Sequence, residues 1–182
     1  MKTLLAAAAM ALVAGASFAQ ENPMVGGAEM LATNDIVANA MNSADHTTLV
    51  AAVQAAGLVE TLQGEGPFTV FAPTNEAFAA LPAGSVDQLL LPENKERLVQ
   101  VLTCHVVGAE AFSDAIGQMI ADGGGSHAIE TLGGCVLQAQ MNGDAITLTD
   151  EQGRTASVTI ADVDQSNGVI HVIDQVLLPA AG

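Results

Sequence analysis

Tryptophan and tyrosine do not occur in the 182-residue sequence, and phenylalanine occurs five times. Half of the residues are apolar all the same, so the interior must be packed from aliphatic side chains rather than rings. Basic residues are nearly as scarce. Lys2, Lys95, Arg97 and Arg154 stand against 20 Asp and Glu, a formal net charge of −16. Phosphate backbones and anionic bilayer surfaces are bound through clustered cations, so nucleic-acid binding and charge-driven attachment to lipid headgroups are excluded. A mean hydropathy of +0.41 excludes a disordered acidic tail. The length fits one domain.

Sequence patterns that carry chemistry are also missing. The histidines, His46, His105, His127 and His171, show no H-E-x-x-H spacing, and the cysteines form no C-x-x-C pair. No G-x-S-x-G elbow and no phosphate-binding P-loop occurs. Asp162, Asp164 and Ser166 alternate as calcium ligands do, but Asn167 stands where an EF-hand needs glycine and Ile173 where it needs the closing carboxylate. No catalytic residue, metal site or cofactor is therefore expected, and no motif supports a hydrolase, an oxidoreductase or a nucleotide-binding enzyme.

What is present begins with Lys2, an apolar run from Leu4 to Ala16 and the small-residue sequence Ser17-Phe18-Ala19. This predicts a signal peptide over 1–19 and a periplasmic or extracellular location. Gln20 to Ala32, with Asn22, Pro23, Gly26 and Gly27, reads as a frayed, flexible segment. An oxidising compartment permits a structural disulfide between Cys104 and Cys135; two buried free thiols are the alternative.

From Asn34 onward helices dominate. Thr33 or Asn34 is placed to cap a helix carrying Ile36, Val37 and Ala40, and Asp45 to cap a second that ends at Gly57. Phe68 to Phe71 reads as a strand stopped by Pro73, with a helix following Thr74 and a longer one opened by Pro92 that buries Leu98, Val101 and Leu102. Ala111 to Ala121 predicts a helix with Phe112 and Ile116 inward. Strands follow over Ala128–Leu132, Cys135–Ala139, Ile146–Leu148, Ala156–Ile160 and Val169–Leu178, with Asn142-Gly143 at a hairpin. Helices early and antiparallel strands late predict an α+β domain over 33–179.

Two blocks carry a resemblance. Gly66-Pro67-Phe68-Thr69-Val70-Phe71-Ala72-Pro73-Thr74-Asn75-Glu76-Ala77-Phe78 and Ser166-Asn167-Gly168-Val169-Ile170-His171-Val172-Ile173-Asp174-Gln175-Val176-Leu177-Leu178-Pro179 resemble the two signature blocks of the fasciclin domain family. The resemblance implies a β-sandwich or wedge with several helices packed against it. It also implies a secreted or periplasmic module for cell adhesion or protein interaction, bound to a cell-surface or envelope protein or an extracellular polymer. His105 occupies the place of the histidine in the family's Tyr-His pair, with Cys104 replacing the tyrosine, and Asp162-Val163 that of its Asp-Ile pair. His105, Asp162 and Val163 are the candidate partner-binding residues, although His105 also reads as a packed, hydrogen-bonded histidine. The alternative is a carrier of an apolar small molecule such as a carotenoid or lipid, with Met119 and Met141 as adaptable lining.

Overall fold

The structure, a computed structural model, describes residues 22–180; the expected signal peptide over 1–19 lies outside these. The chain opens with a short hairpin, β1 (Met24–Val25) and β2 (Ala28–Glu29), followed by helices α1 (Ile36–Asn42), α2 (Thr47–Ala56) and α3 (Val59–Leu62). Next come β3 (Phe68–Pro73), α4 (Asn75–Ala79), α5 (Ser85–Leu89), α6 (Lys95–Thr103), β4 (Val106–Val107) and α7 (Ser113–Asp122). The carboxy-terminal strands are β5 (Ser126–Glu130), β6 (Val136–Asn142), β7 (Ala145–Thr149), β8 (Thr155–Gln165) and β9 (Gly168–Ile173).

The frayed segment expected over 20–32 is corrected for its described part. Residues 24–29 pair as a hairpin, and Val25 and Met30 are buried against the helices. The glycines that suggested fraying instead make the turn, with Gly26 at φ +59° and Gly27 at +76°, a conformation open to glycine at little cost.

Helix ends show where local signals worked and where distant residues took over. Asp35, not Thr33 or Asn34, caps α1 by accepting from Ala38 N–H at 2.8 Å. Asp45 lies in a 3-10 turn, and α2 is capped instead by Asn75, whose Oδ1 accepts from Thr48 N–H at 3.0 Å. Gly57 ends α2 and Thr74 caps α4 as the sequence predicts. Phe112 precedes α7 and is exposed, because the helix starts at Ser113 and buries Ile116 and Ile120.

Seven strands form one mixed sheet in the order β4-β3-β9-β8-β7-β6-β5. The two signature blocks supply β3 and β9, which run parallel from Phe68↔Gly168 to Pro73↔Ile173; the other neighbours are antiparallel. Every residue of β9 is buried, as expected of a strand covered on both faces. Gly168 makes the parallel pairing possible, since a Cβ there would stand 2.0 Å from Phe68 O. On one face Val70, Ala72, Ile170 and Val172 pack against α1, α2, α4 and α6. On the other Phe71, Ile173, Leu137 and Leu148 close around Ile116 and Ile120 of α7. The sheet thus wraps α7 on one side and carries the helical layer on the other, the α+β wedge expected from the sequence. After Ile173 the chain leaves the sheet, so β9 is shorter than the strand expected to Leu178. Leu178 N–H donates to Asp150 Oδ2 and Ala180 N–H to Glu151 Oε2 instead.

Candidate interaction site

The outer strands of the sheet, β4 and β5, come together at one end. Leu132 N–H donates to Val106 O at 2.8 Å and Gly133 N–H to Thr103 O at 3.0 Å. Cys104 and Cys135 are joined in a disulfide with their Cα atoms 5.3 Å apart, both buried. Gly133 permits this approach, because a Cβ would meet Cys104 N at 2.8 Å. Beyond this join the two edges border a cleft of about 430 Å³. Val107, Ala109 and Ala111 form one wall, Ala128 and Ile129 the other, and Ala115, Ile116 and Met119 of α7 the floor. Thr69, Glu110, His127 and Glu130 supply its polar groups. The helical layer encloses a cavity of only about 40 Å³ beneath α2, too small for a partner side chain of any size.

One hydrogen-bonded chain fixes the first wall. Thr69 Oγ1 donates to Ala109 O at 2.6 Å and accepts from Ala111 N–H at 2.8 Å. His171 Nε2–H donates to Ala111 O at 2.8 Å, while its Nδ1 accepts from Asp162 N–H at 3.2 Å. Asp162 in turn accepts from Ser113 N–H at 2.6 Å and from the Ser113 hydroxyl. Its carboxylate thus satisfies the start of α7 from a strand 49 residues away, where a helix amino terminus favours negative charge.

Ser113, Asp162 and His171 are the residue types of a hydrolase triad, but their hydrogen bonds are wrong for one. The serine donates to the aspartate, and Nε2 of the histidine is protonated and committed to Ala111 O, so it cannot take a proton from a nucleophile. Burial lowers the His171 pKa, opposed by the Ala111 backbone and Asp162. Among the described residues no three His, Cys, Asp or Glu are grouped to hold a metal ion.

The three candidates from the sequence do not form one surface. His105 and Val163 are 2% and 0% exposed, so neither can touch a partner, and both are corrected to interior residues. His105 sits where α6 meets the carboxy-terminal segment: Nδ1–H donates to Val101 O at 2.7 Å and Nε2 accepts from Leu177 N–H at 2.9 Å. Val163 packs in the helix-side core beside Ile170. Asp162 is half-buried and engaged as the α7 cap, with φ +58°. Replacing it with alanine removes charge-assisted bonds and leaves a Cβ in a left-handed conformation. The expected cost is about 3 kcal/mol in urea unfolding. Asp162→Asn, which tolerates that conformation and keeps an acceptor, should lose less than half of that; equal stability of the alanine variant would contradict the capping role.

His127 is the histidine that borders the cleft, and the sequence offered no signal for it beyond Ser126-His127. Met119 lies on the cleft floor, whereas Met141 is exposed on β6 and does not line it.

Comparison with known proteins agrees with the geometry. The fasciclin domain model matches residues 44–179. Protein sll1483 of Synechocystis sp. is 47% identical over 197 residues, spanning 98% of this chain and 99% of its own. The pig transforming growth factor-beta-induced protein ig-h3 is 41% identical over 133 residues, 73% of this chain but 17% of that longer protein. Immunogenic protein MPB70 of Mycobacterium bovis is 32% identical over 174 residues, covering 91% of this chain and 80% of its own. Among solved structures, a FAS1 domain pair from the insect cell adhesion molecule fasciclin I superposes with a TM-score of 0.57 at 24% identity, over 69% of this chain and 42% of that one. The sheet with its two signature strands, the helices on its face and these matches together place the chain in the fasciclin domain family.

Proposed function

We propose that this protein is a secreted or periplasmic, non-catalytic interaction module of the adhesion type, whose partner is a cell-surface or envelope protein or an extracellular polymer. The observation that carries the reading is the open cleft at the sheet seam, an apolar slot with a polar rim, the composition of a binding site. Family membership supports it, as does the insect relative described as a cell adhesion molecule. The triad-type residues are committed to structural bonds, which argues against hydrolysis at that point. Residues 1–19 serve as the signal peptide in this reading. Among the described residues no helix is long and apolar enough to cross a membrane.

The test is affinity purification from the native source at moderate salt, in parallel with Ala115→Trp. Ala115 is exposed on the cleft floor, so the indole fills the slot without disturbing the core. A specific envelope or extracellular component retained by the native chain and lost by the variant is the expected result. Retention of nothing above controls, or equal retention by both, would overturn the reading.

A second reading is a carrier of an apolar small molecule such as a carotenoid or lipid. The cleft volume of about 430 Å³ and its alanine, isoleucine and methionine lining favour it. Visible absorbance or a stoichiometric organic extract from native-source protein would move it ahead; a colourless, ligand-free preparation would remove it.

A further inference from the structure

Side chains along an extended strand alternate between its two faces, so a pocket lying on one face meets every second residue. The cleft instead borders four consecutive residues of β5, His127 through Glu130, and three consecutive residues of the opposite wall, Ala109 to Ala111. β5 therefore meets it edge-on, where backbone N–H and C=O groups lie. β5 is the outermost strand and pairs with β6 alone. The seam bond from Leu132 N–H to Val106 O falls beyond its end, and among the described residues no backbone bond joins Ser126–Glu130 to the facing wall. Open edges are ordinarily blunted by lysine, proline or a bulge. β5 reads Ser-His-Ala-Ile-Glu and keeps an unbroken register with β6.

We propose that the outer edge of β5 is a strand-addition site, which takes an extended cationic segment of a partner polypeptide as the eighth strand of the sheet. Main-chain bonds to β5 would supply affinity, and the apolar floor at Ile116 and Met119 would take alternate side chains, the usual division of labour in strand addition. The sign of the partner's charge follows from the rim: Glu110 and Glu130 border the cleft, no lysine or arginine does, and the whole chain carries 20 acidic against 4 basic residues. This inference rests on the interaction-module reading and specifies its partner.

The probe is a capped hexapeptide of alternating Lys and Val, titrated into the full chain at physiological ionic strength and followed by amide hydrogen exchange. Controls are the same peptide N-methylated at every second residue, in both phases, and a Glu-Val peptide. The expected result is slowed exchange at Ser126–Glu130 with the Lys-Val peptide. At least one N-methylated form should bind at least about tenfold more weakly, the worth of one or two net backbone bonds. The Glu-Val peptide should not bind, and the exposed charge reversals Glu110→Lys and Glu130→Lys together should weaken the Lys-Val peptide. Equal binding by all cationic peptides without protection of β5 would show charge attraction alone and overturn strand addition. So would no binding, or a dimer of this chain in which β5 is already protected. If the peptide fails while Ala115→Trp still abolishes native-partner binding, strand addition falls and the interaction module stands. If Ala115→Trp changes nothing, the module reading itself falls.

Discussion

Lowering the pH from 7 towards 4 is expected to remove about 3 kcal/mol of folding stability through His105 alone. Burial lowers its pKa from the usual 6.5 to about 4, although the Val101 carbonyl and Asp150 pull the other way. The geometry explains why the proton is refused. Leu177 N–H donates to Nε2, so a proton there would face another donor with no solvent to receive it. In the unfolded chain the imidazole is free to protonate near 6.5, so acid favours unfolding. The stabilisation is complete above that value and is lost as pH falls through the folded value near 4. His46 and His171 are also lowered by burial and act in the same direction. Between pH 6.5 and 5 most carboxylates remain ionised, which isolates the histidines from the relief of negative self-repulsion at lower pH.

His105→Gln provides the discriminating variant, since its amide can donate to Val101 O and accept from Leu177 N–H without titrating. Urea unfolding of this variant should show a flatter dependence between pH 7 and 4.5 than the native chain. His105→Ala leaves both backbone groups unpaired beside a cavity and should cost about 3–5 kcal/mol at neutral pH. An unchanged pH slope in His105→Gln would contradict the assignment.

The second large effect is expected from the disulfide. Cys104 and Cys135 are 31 residues apart, and closing a loop of that length restricts the unfolded chain by about 3–4 kcal/mol in the chain-entropy account. For a domain of this size that is a fall in Tm of roughly 10 °C in a Cys104→Ala, Cys135→Ala double variant. The loss should be uneven. The bridge sits where β4 approaches the connection from β5 to β6, with Gly133 N–H bonded to Thr103 O, so amides around Val106 and Leu132 should exchange faster before those of β9. A double variant with the native Tm would show that the bond does not constrain the chain in solution.

The buried face of the fold was the most legible part in the sequence. Phe68–Phe71 and Val169–Ile173 are dense apolar runs, and the structure makes them the parallel pair β3 and β9, inside the β4 edge of the sheet. Their parallel pairing could not be read locally, because it joins residues about a hundred positions apart across several helices. Gly57 and Thr74 acted as their local chemistry dictates. Asp45 did not, since the Asn75 side chain reaches the α2 amides from another helix. The same non-locality governs the site. The resemblance makes Asp162 a partner-binding candidate, and nothing near it in sequence shows that Ser113 begins a helix against it. His105 was legible as a packed histidine, but its second partner, Leu177, lies 72 residues away. The cleft had no sequence signal at all: Ala109–Ala111 and His127–Glu130 become its walls only when the sheet curls around α7.

Site-specific photo-crosslinking in the native source tests most directly whether that cleft is the working surface. A photoreactive side chain would be placed at Ala115 or Ala128 in the cleft, or at Gln88, an exposed residue beside α6 that does not line it. Covalent capture of the same envelope or extracellular component from positions 115 and 128, and none from 88, is the predicted result. Capture from position 88 with none from the cleft positions would contradict the account.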